Sequence, residues 1–302
     1  MLRVIAVILA CWALGCSRLE RRAVQRQSND VSFRVTLSLK AEGKTSWLRV
    51  VALVPTTISG RQVVRDVSLS PEPLRVFDLN GNRYAEFVFP RPKGELQVQV
   101  AGRATLFGYD LSVALAGGGI PETGGLRPWL IPEPGLETDD PEIAKAAAGI
   151  KGRSEIEVVK GIYDFVKAHM EFGGDDLSSP GKGAAKALQD GKGDCTEYAD
   201  LMVALCRAKG IPARPVLGLL ALPSLAVPQH SWVEVRTSQY GWVPFDPTAD
   251  DCSRNASFER LKPAYLIFSR IRNDEMLDNY NSFALFRWWG DRVTLTDKYE
   301  VK

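Results

Sequence analysis

The chain is predicted to fold in two domains, an N-terminal all-β sandwich followed by an α+β core. Three observations lead there. At 302 residues it exceeds the size at which single hydrophobic cores usually divide. Its first third reads as short alternating apolar stretches without a helical period. Farther on, apolar residues recur at intervals of three and four, the spacing of an amphipathic helix. An apolar share of 45% and a charged share of 25% supply enough material for cores of this size.

The N-terminus opens with Met1-Leu2-Arg3 and an apolar run from Val4 to Leu14. That run falls short of the roughly 20 residues a bilayer span needs and suits the apolar region of a signal peptide. It ends in Ala13-Leu14-Gly15-Cys16, similar to a bacterial lipoprotein signal, so residues 1–15 are expected to be removed and Cys16 lipidated. An ordinary secretory signal or an uncleaved anchor is the alternative. Diacyl attachment supplies the two chains that stable anchoring takes. Residues 16–30, with four arginines in SRLERRAVQRQSND, read as a lipidated tether beside an anionic membrane surface. The expected location is the bacterial cell envelope.

From Val31 to residue 116, FRVTLSL, WLRVVALV, VVRDVSL, YAEFVF, LQVQVA and YDLSVAL read as strands, and Asn80-Gly81 is the strongest hairpin signal among their turns. Gly117 to Gly125 breaks the pattern as a linker. The second domain is expected over 120–302, with Val293–Leu295 as a late strand completing it. In it, Asp139-Asp140-Pro141 starts a helix to about Ala148, and a longer helix runs from Ser154 to His169.

The chemistry centres on GKGDCTEYADLMVALCRAKGIP. Asp194 is placed as an N-cap with Glu197 three residues on, a capping-box pattern, and Gly210-Ile211-Pro212 ends the helix. Cys195 therefore lies in the first turn, where free backbone N–H groups and the positive helix end favour a thiolate. Asp194 and Glu197 oppose this with negative charge, which a neighbouring imidazolium is expected to outweigh. Cys206 lies eleven residues along the same helix, too far to bridge Cys195. It reads as a buried small residue, with a Cys206–Cys252 disulfide as the other option.

The chain has only two histidines. His169 ends a helix, where it complements the dipole. His230 opens the first strand of a predicted hairpin, Ser231–Arg236 and Trp242–Asp246 around Thr237–Gly241. Placing Val233 and Val235 on one face with Val243 and Phe245 demands a register in which paired residue numbers sum to an even value. The same register puts His230 and Asp246 on a common face, opposite or on a short diagonal. Pro244 suggests an edge strand.

The residues Gly193-Asp194-Cys195, Glu197-Tyr198-Ala199, Arg207 with Gly210-Ile211-Pro212-Ala213-Arg214, His230-Ser231-Trp232 and Trp242-Val243-Pro244-Phe245-Asp246-Pro247-Thr248 resemble the transglutaminase-like superfamily of papain-type fold over about residues 135–250. The whole plan resembles bacterial members with an N-terminal β-domain. The resemblance implies Cys195 as nucleophile, His230 as general base and acid, and Asp246 as the residue orienting the imidazole. Phe172 departs from relatives that carry Tyr before the catalytic segment, so no hydroxyl is available there.

The expected reaction is attack on an amide carbonyl of a protein or peptide through a thioester, with hydrolysis favoured over crosslinking. The alternative is a non-catalytic binding or scaffold module that keeps the fold. No cofactor and no metal is expected, since two histidines and scattered cysteines lack ligand spacing. A formal charge of +2 argues against a nucleic-acid partner. Oligomeric state is not legible.

Overall fold

The computed structural model describes residues 27–114, 125–173, 181–222, 228–248 and 256–302. The signal segment 1–15, Cys16, most of the tether, most of the glycine-rich linker and Cys252 lie outside the described residues.

The first strands are β1 (Ser28–Ala41), β2 (Trp47–Val54), β3 (Gln62–Ser70), β4 (Arg75–Leu79), β5 (Asn82–Pro90) and β6 (Gly94–Phe107). In β1 the odd positions Val31, Phe33, Val35, Leu37 and Leu39 are buried, the two-residue period of a half-covered sheet. Leu79 pairs with Asn82, and both Asn80 and Gly81 take positive φ, 52° and 86°. This is the tight turn that Asn-Gly favours, because its backbone twist matches that of the flanking strands.

Tyr109–Asp110 forms a short β7 and Leu111–Ala114 a helical turn, α1, where YDLSVAL had suggested one strand. Then follow α2 (Pro141–Gly149), α3 (Glu155–His169), β8 (Glu171–Phe172), α4 (Ala184–Asp190), β9 (Lys192–Gly193) and α5 (Cys195–Ala208). Asp140 and Ser154 cap α2 and α3 through their side chains. The second sheet is built from β10 (Ala213–Leu220), β11 (Gln229–Thr237), β12 (Gly241–Phe245) and β14 (Tyr265–Ser269), in the order β12-β11-β10-β14. A short β13 (Arg260–Leu261) pairs with β7. Pro244 lies in β12 at the sheet edge, where its missing N–H is tolerated.

The last two strands overturn the expected end of the second domain. β15 (Ala284–Trp289) pairs with β2, and β16 (Val293–Val301) pairs with β1 from Phe33↔Val301 to Ala41↔Val293. The chain thus returns to the sandwich, whose two sheets run β16-β1-β6-β3 and β15-β2-β5-β4. Without β16, the 14-residue β1 would expose a long row of unpaired N–H and C=O groups. Val293–Leu295 was legible as a strand, but a strand's alternation does not name its partner. Trp288 and Trp289 lie at the end of β15, 40% and 76% exposed.

The two units share a core. Leu217, Leu219, Leu266 and Phe268 of the second sheet belong to the same apolar cluster as the sandwich interior, and Phe33 meets Phe268 edge-on at 6.0 Å. A polar knot ties the same joint. The buried Glu234 of β11 accepts from Arg61 Nε at 3.1 Å and Arg214 Nε at 2.9 Å, and the Arg214 guanidinium lies 3.8 Å over the Trp242 ring. The apolar side of α5 is packed with Val159, Ile162 and Val166 of α3 and Val233, Val235, Val243 and Phe245 of the hairpin in a second cluster. Helix and sheet are therefore held rigidly against each other where their ends meet.

Candidate active site

Cys195 is the first residue of α5. Asp194 caps the helix, its carboxylate accepting from Thr196 N at 2.6 Å, while Glu197 Oε2 accepts from Asp194 N at 3.0 Å. Gly193 makes room for this capping box. A Cβ there would lie 2.4 Å from Glu197 Cβ, so a larger residue would push the Glu197 side chain off the backbone it satisfies. Burial, reinforced by the nearby Glu197 charge, pushes the Asp194 carboxyl up to about 6.

On the facing sheet, β11 and β12 pair with Val233 opposite Phe245 and Val235 opposite Val243. Each pair sums to 478, the even register the apolar pattern demanded. His230 and Asp246 then lie on a short diagonal, and His230 Nε2 is 2.8 Å from Asp246 Oδ2. With Nε2 so engaged, Nδ1 is left for the Cys195 thiol, whose hydrogen bond and charge both act on the imidazole. Burial alone would lower the His230 pKa. The Asp246 charge and hydrogen bond, followed by the Cys195 contacts, outweigh it and hold the imidazolium well above the usual histidine range. Cys195, His230 and Asp246 thus meet as one chain of contacts, with Cys195 half-buried and the other two buried.

Three residues that sequence reasoning passed over hold Asp246. Tyr265 OH donates to Oδ2 at 2.7 Å, and Thr248 donates to Oδ1 from its hydroxyl at 2.7 Å and its N–H at 3.1 Å. Tyr163 OH donates to the Asp246 carbonyl at 3.2 Å. Thr248 was accessible in Asp246-Pro247-Thr248, since an Asp followed two residues later by a donor is a common local turn. Tyr265 and Tyr163 carry no such signal, because they come from distant elements. Burial would raise the Asp246 carboxyl, but the His230 charge and these donors keep it below the usual range.

Trp232 lies parallel to His230 with centroids 6.2 Å apart and edge-on to Tyr265 at 5.1 Å. It depends on Gly218, opposite His230 in the β10–β11 register. A Cβ at Gly218 would fall 2.1 Å from the Leu266 carbonyl and 2.6 Å from the Trp232 ring. We expect Gly218→Ala to cost about 1–3 kcal/mol by overpacking and to displace Trp232 from the imidazole. Denaturant unfolding and tryptophan emission would check this, and unchanged values in both would contradict the packing described.

The remaining candidates lie apart from this array. His169 is exposed at the end of α3, donating to the Leu188 carbonyl at 2.6 Å and stacked on Phe165. Cys206 is buried, and desolvation pushes its thiol far up. Phe172 of β8 pairs with Gly193 of β9 and is 44% exposed beside the Cys195 turn, offering an apolar ring and no hydroxyl. Among the described residues no group of three or more His, Cys, Asp or Glu is placed to hold a metal ion. None of their helices is long and apolar enough to cross a membrane.

A cysteine on a helix N-terminus, facing a histidine–aspartate pair on an antiparallel sheet, places the second unit among α+β folds of papain type. Residues 144–247 match the family model of the transglutaminase-like superfamily, and this part of the chain belongs to that superfamily. Among solved structures, a Cytophaga hutchinsonii protein described as a "putative cysteine protease" is 20% identical. The match covers 91% of each chain with a TM-score of 0.63, a likeness that shows the shared fold over both units. The periplasmic domain of TgpA from Pseudomonas aeruginosa is 15% identical over 76% of this chain and 95% of that one, with a TM-score of 0.36. A Parabacteroides distasonis structure described as a "putative protease" is 16% identical over 80% and 48%, with a TM-score of 0.33. These last two superpose too loosely to carry an argument. No curated protein matches the chain.

Proposed function

We propose that the chain is a cysteine enzyme that hydrolyses amide bonds of proteins or peptides, with Cys195 as nucleophile, His230 as general base and acid, and Asp246 orienting the imidazole. The single observation that carries this reading is the continuous contact from the Cys195 thiol through His230 to Asp246 Oδ2. The raised His230 supplies an imidazolium beside the sulfur, which pairs with a thiolate. The thiolate attacks the amide carbonyl carbon, and the carbonyl oxygen takes up the negative charge near the Cys195 N–H. His230 passes its Nδ1 proton to the departing amine as the C–N bond breaks, leaving a thioester. Water, deprotonated by His230, then attacks that thioester, releasing the acid and restoring the thiolate. The name given to the C. hutchinsonii structure is in keeping with hydrolysis as the outcome.

The test is labelling of the full chain with iodoacetamide. Cys195 is expected to react at mildly acidic pH, where a free thiol barely does, and Cys195→Ala to remove that label while the buried Cys206 stays unlabelled. Reactivity at Cys195 no greater than that of a small thiol would end the enzymatic reading.

The same proposal places the protein in the bacterial cell envelope on a lipid anchor at Cys16. Gln27, just ahead of β1, accepts a hydrogen bond from Gly108 N, so a tether would leave beside the joint of the two units. Metabolic labelling with a palmitate analogue should mark the wild type and not Cys16→Ala. Equal labelling of both would rule out that anchor.

A further inference from the structure

The segment between β14 and β15, residues 270–283, is fastened to both units. Arg272 Nε donates to both oxygens of Asp200 on α5, at 3.0 and 3.1 Å, and both residues are buried. Asp274 accepts from Tyr84 OH at 2.6 Å and Asn82 Nδ2 at 2.9 Å, both in the sandwich. Asp278 pairs with Arg287 of β15, and Phe283 is buried edge-on to Phe268. Between these anchors, Asn281 reaches back to the site. Its side-chain amide donates to Thr196 Oγ1 and to Ser231 Oγ, at 3.2 Å each, and the two hydroxyl oxygens are 3.5 Å apart.

Thr196 directly follows Cys195, and Ser231 directly follows His230. One amide, held by a strap with its own anchors, therefore clamps the residue after the thiol to the residue after the imidazole. We propose that Asn281 is a positioning residue that sets the distance between Cys195 and His230. The proposal rests on the Cys195–His230 reading above. β15, which follows the strap, fixes its far end to the sandwich by pairing with β2. Small displacements between reacting groups carry large rate penalties, and two lost hydrogen bonds can change a rate by about tenfold.

The experiment is the pH profile of Cys195 alkylation by iodoacetamide in the full chain. Asn281→Ala should slow alkylation at mildly acidic pH about tenfold and move the profile toward that of an unpaired thiol, with the thermal midpoint lowered by only a few degrees. In a Thr196→Val/Ser231→Ala background, the same substitution should add little, since its two acceptors are already gone. Asn281→Leu, similar in volume, repeats the measurement should the alanine variant unfold. A wild-type rate and profile in a folded Asn281 variant, or an undiminished drop in the double-variant background, would overturn the proposal. His230→Ala separates the two claims. If it leaves alkylation unchanged, the Cys–His reading fails; if it slows alkylation and Asn281 variants do not, only the strap's role is lost.

Discussion

Asp246→Asn is expected to lower turnover by a factor on the order of 10³–10⁴ and to cost about 3 kcal/mol of stability. Among the described residues, four hydrogen bonds reach this carboxylate, all of them donated to it: His230 Nε2 and Tyr265 OH on one oxygen, Thr248 N–H and hydroxyl on the other. An asparagine must turn its NH₂ toward one of these pairs. Facing His230, it forces the imidazole to present a bare Nε2 and carry its proton on Nδ1, the tautomer that cannot take a proton from the thiol. Facing Thr248, it opposes a fixed backbone N–H. Tyr265→Phe removes one donor of the four and should have a far smaller effect. Rates of Cys195 alkylation and thermal midpoints for the two variants would measure both consequences. Wild-type reactivity in a folded Asp246→Asn protein would show that the imidazole does not depend on this carboxylate.

Glu234→Gln is expected to destabilise the protein by about 3–5 kcal/mol near neutral pH, since it leaves buried arginines without their countercharge. The effect carries a pH signature. Burial alone would raise the Glu234 carboxyl, but Arg214, then Arg61 and Arg270, bring it down to about 2 from an ordinary 4.5. A carboxyl depressed on folding stabilises fully above its unfolded value and loses that contribution as pH falls through the folded one. The window is therefore from about 4.5 down to about 2, and the gap amounts to about 3 kcal/mol at roughly 1.4 kcal/mol per pH unit. Unfolding midpoints of wild type and variant should converge as the pH drops through that window. A difference that stays constant from pH 7 to pH 3 would show that the knot is not electrostatic. Because Arg61 comes from the sandwich and Glu234 from the strand bearing His230, the variant also reports how firmly the units are joined.

Much of the site was readable in the chain because its parts are local. Asp194, Cys195 and Glu197 lie within one helical turn, and capping chemistry depends on that spacing alone. The β11–β12 register followed from four apolar residues whose burial requires an even pairing sum, and the same arithmetic brought His230 to Asp246. Asn80-Gly81 specified its turn through backbone conformations that few other residues adopt. Tyr265, Tyr163 and Asn281 were silent, since each arrives from an element far along the chain and nothing in its own neighbourhood marks it. The end of the second domain was misplaced for the same reason. Val293–Leu295 reads as a strand, but alternation reports which face is buried and not which neighbour supplies the hydrogen bonds.

By itself, the sequence determined most of the N-terminal strands, the helices α2, α3 and α5, the placement of the cysteine on a helix start and the face shared by histidine and aspartate, all consequences of short-range sterics and apolar periodicity. Only the tertiary structure decided that β15 and β16 return to close the sandwich, that a strap crosses the joint to place an amide beside the thiol and imidazole, and that three arginines converge on Glu234. Those contacts join residues up to hundreds of positions apart, and they are set by which surfaces can be buried together, a property of the packed chain as a whole.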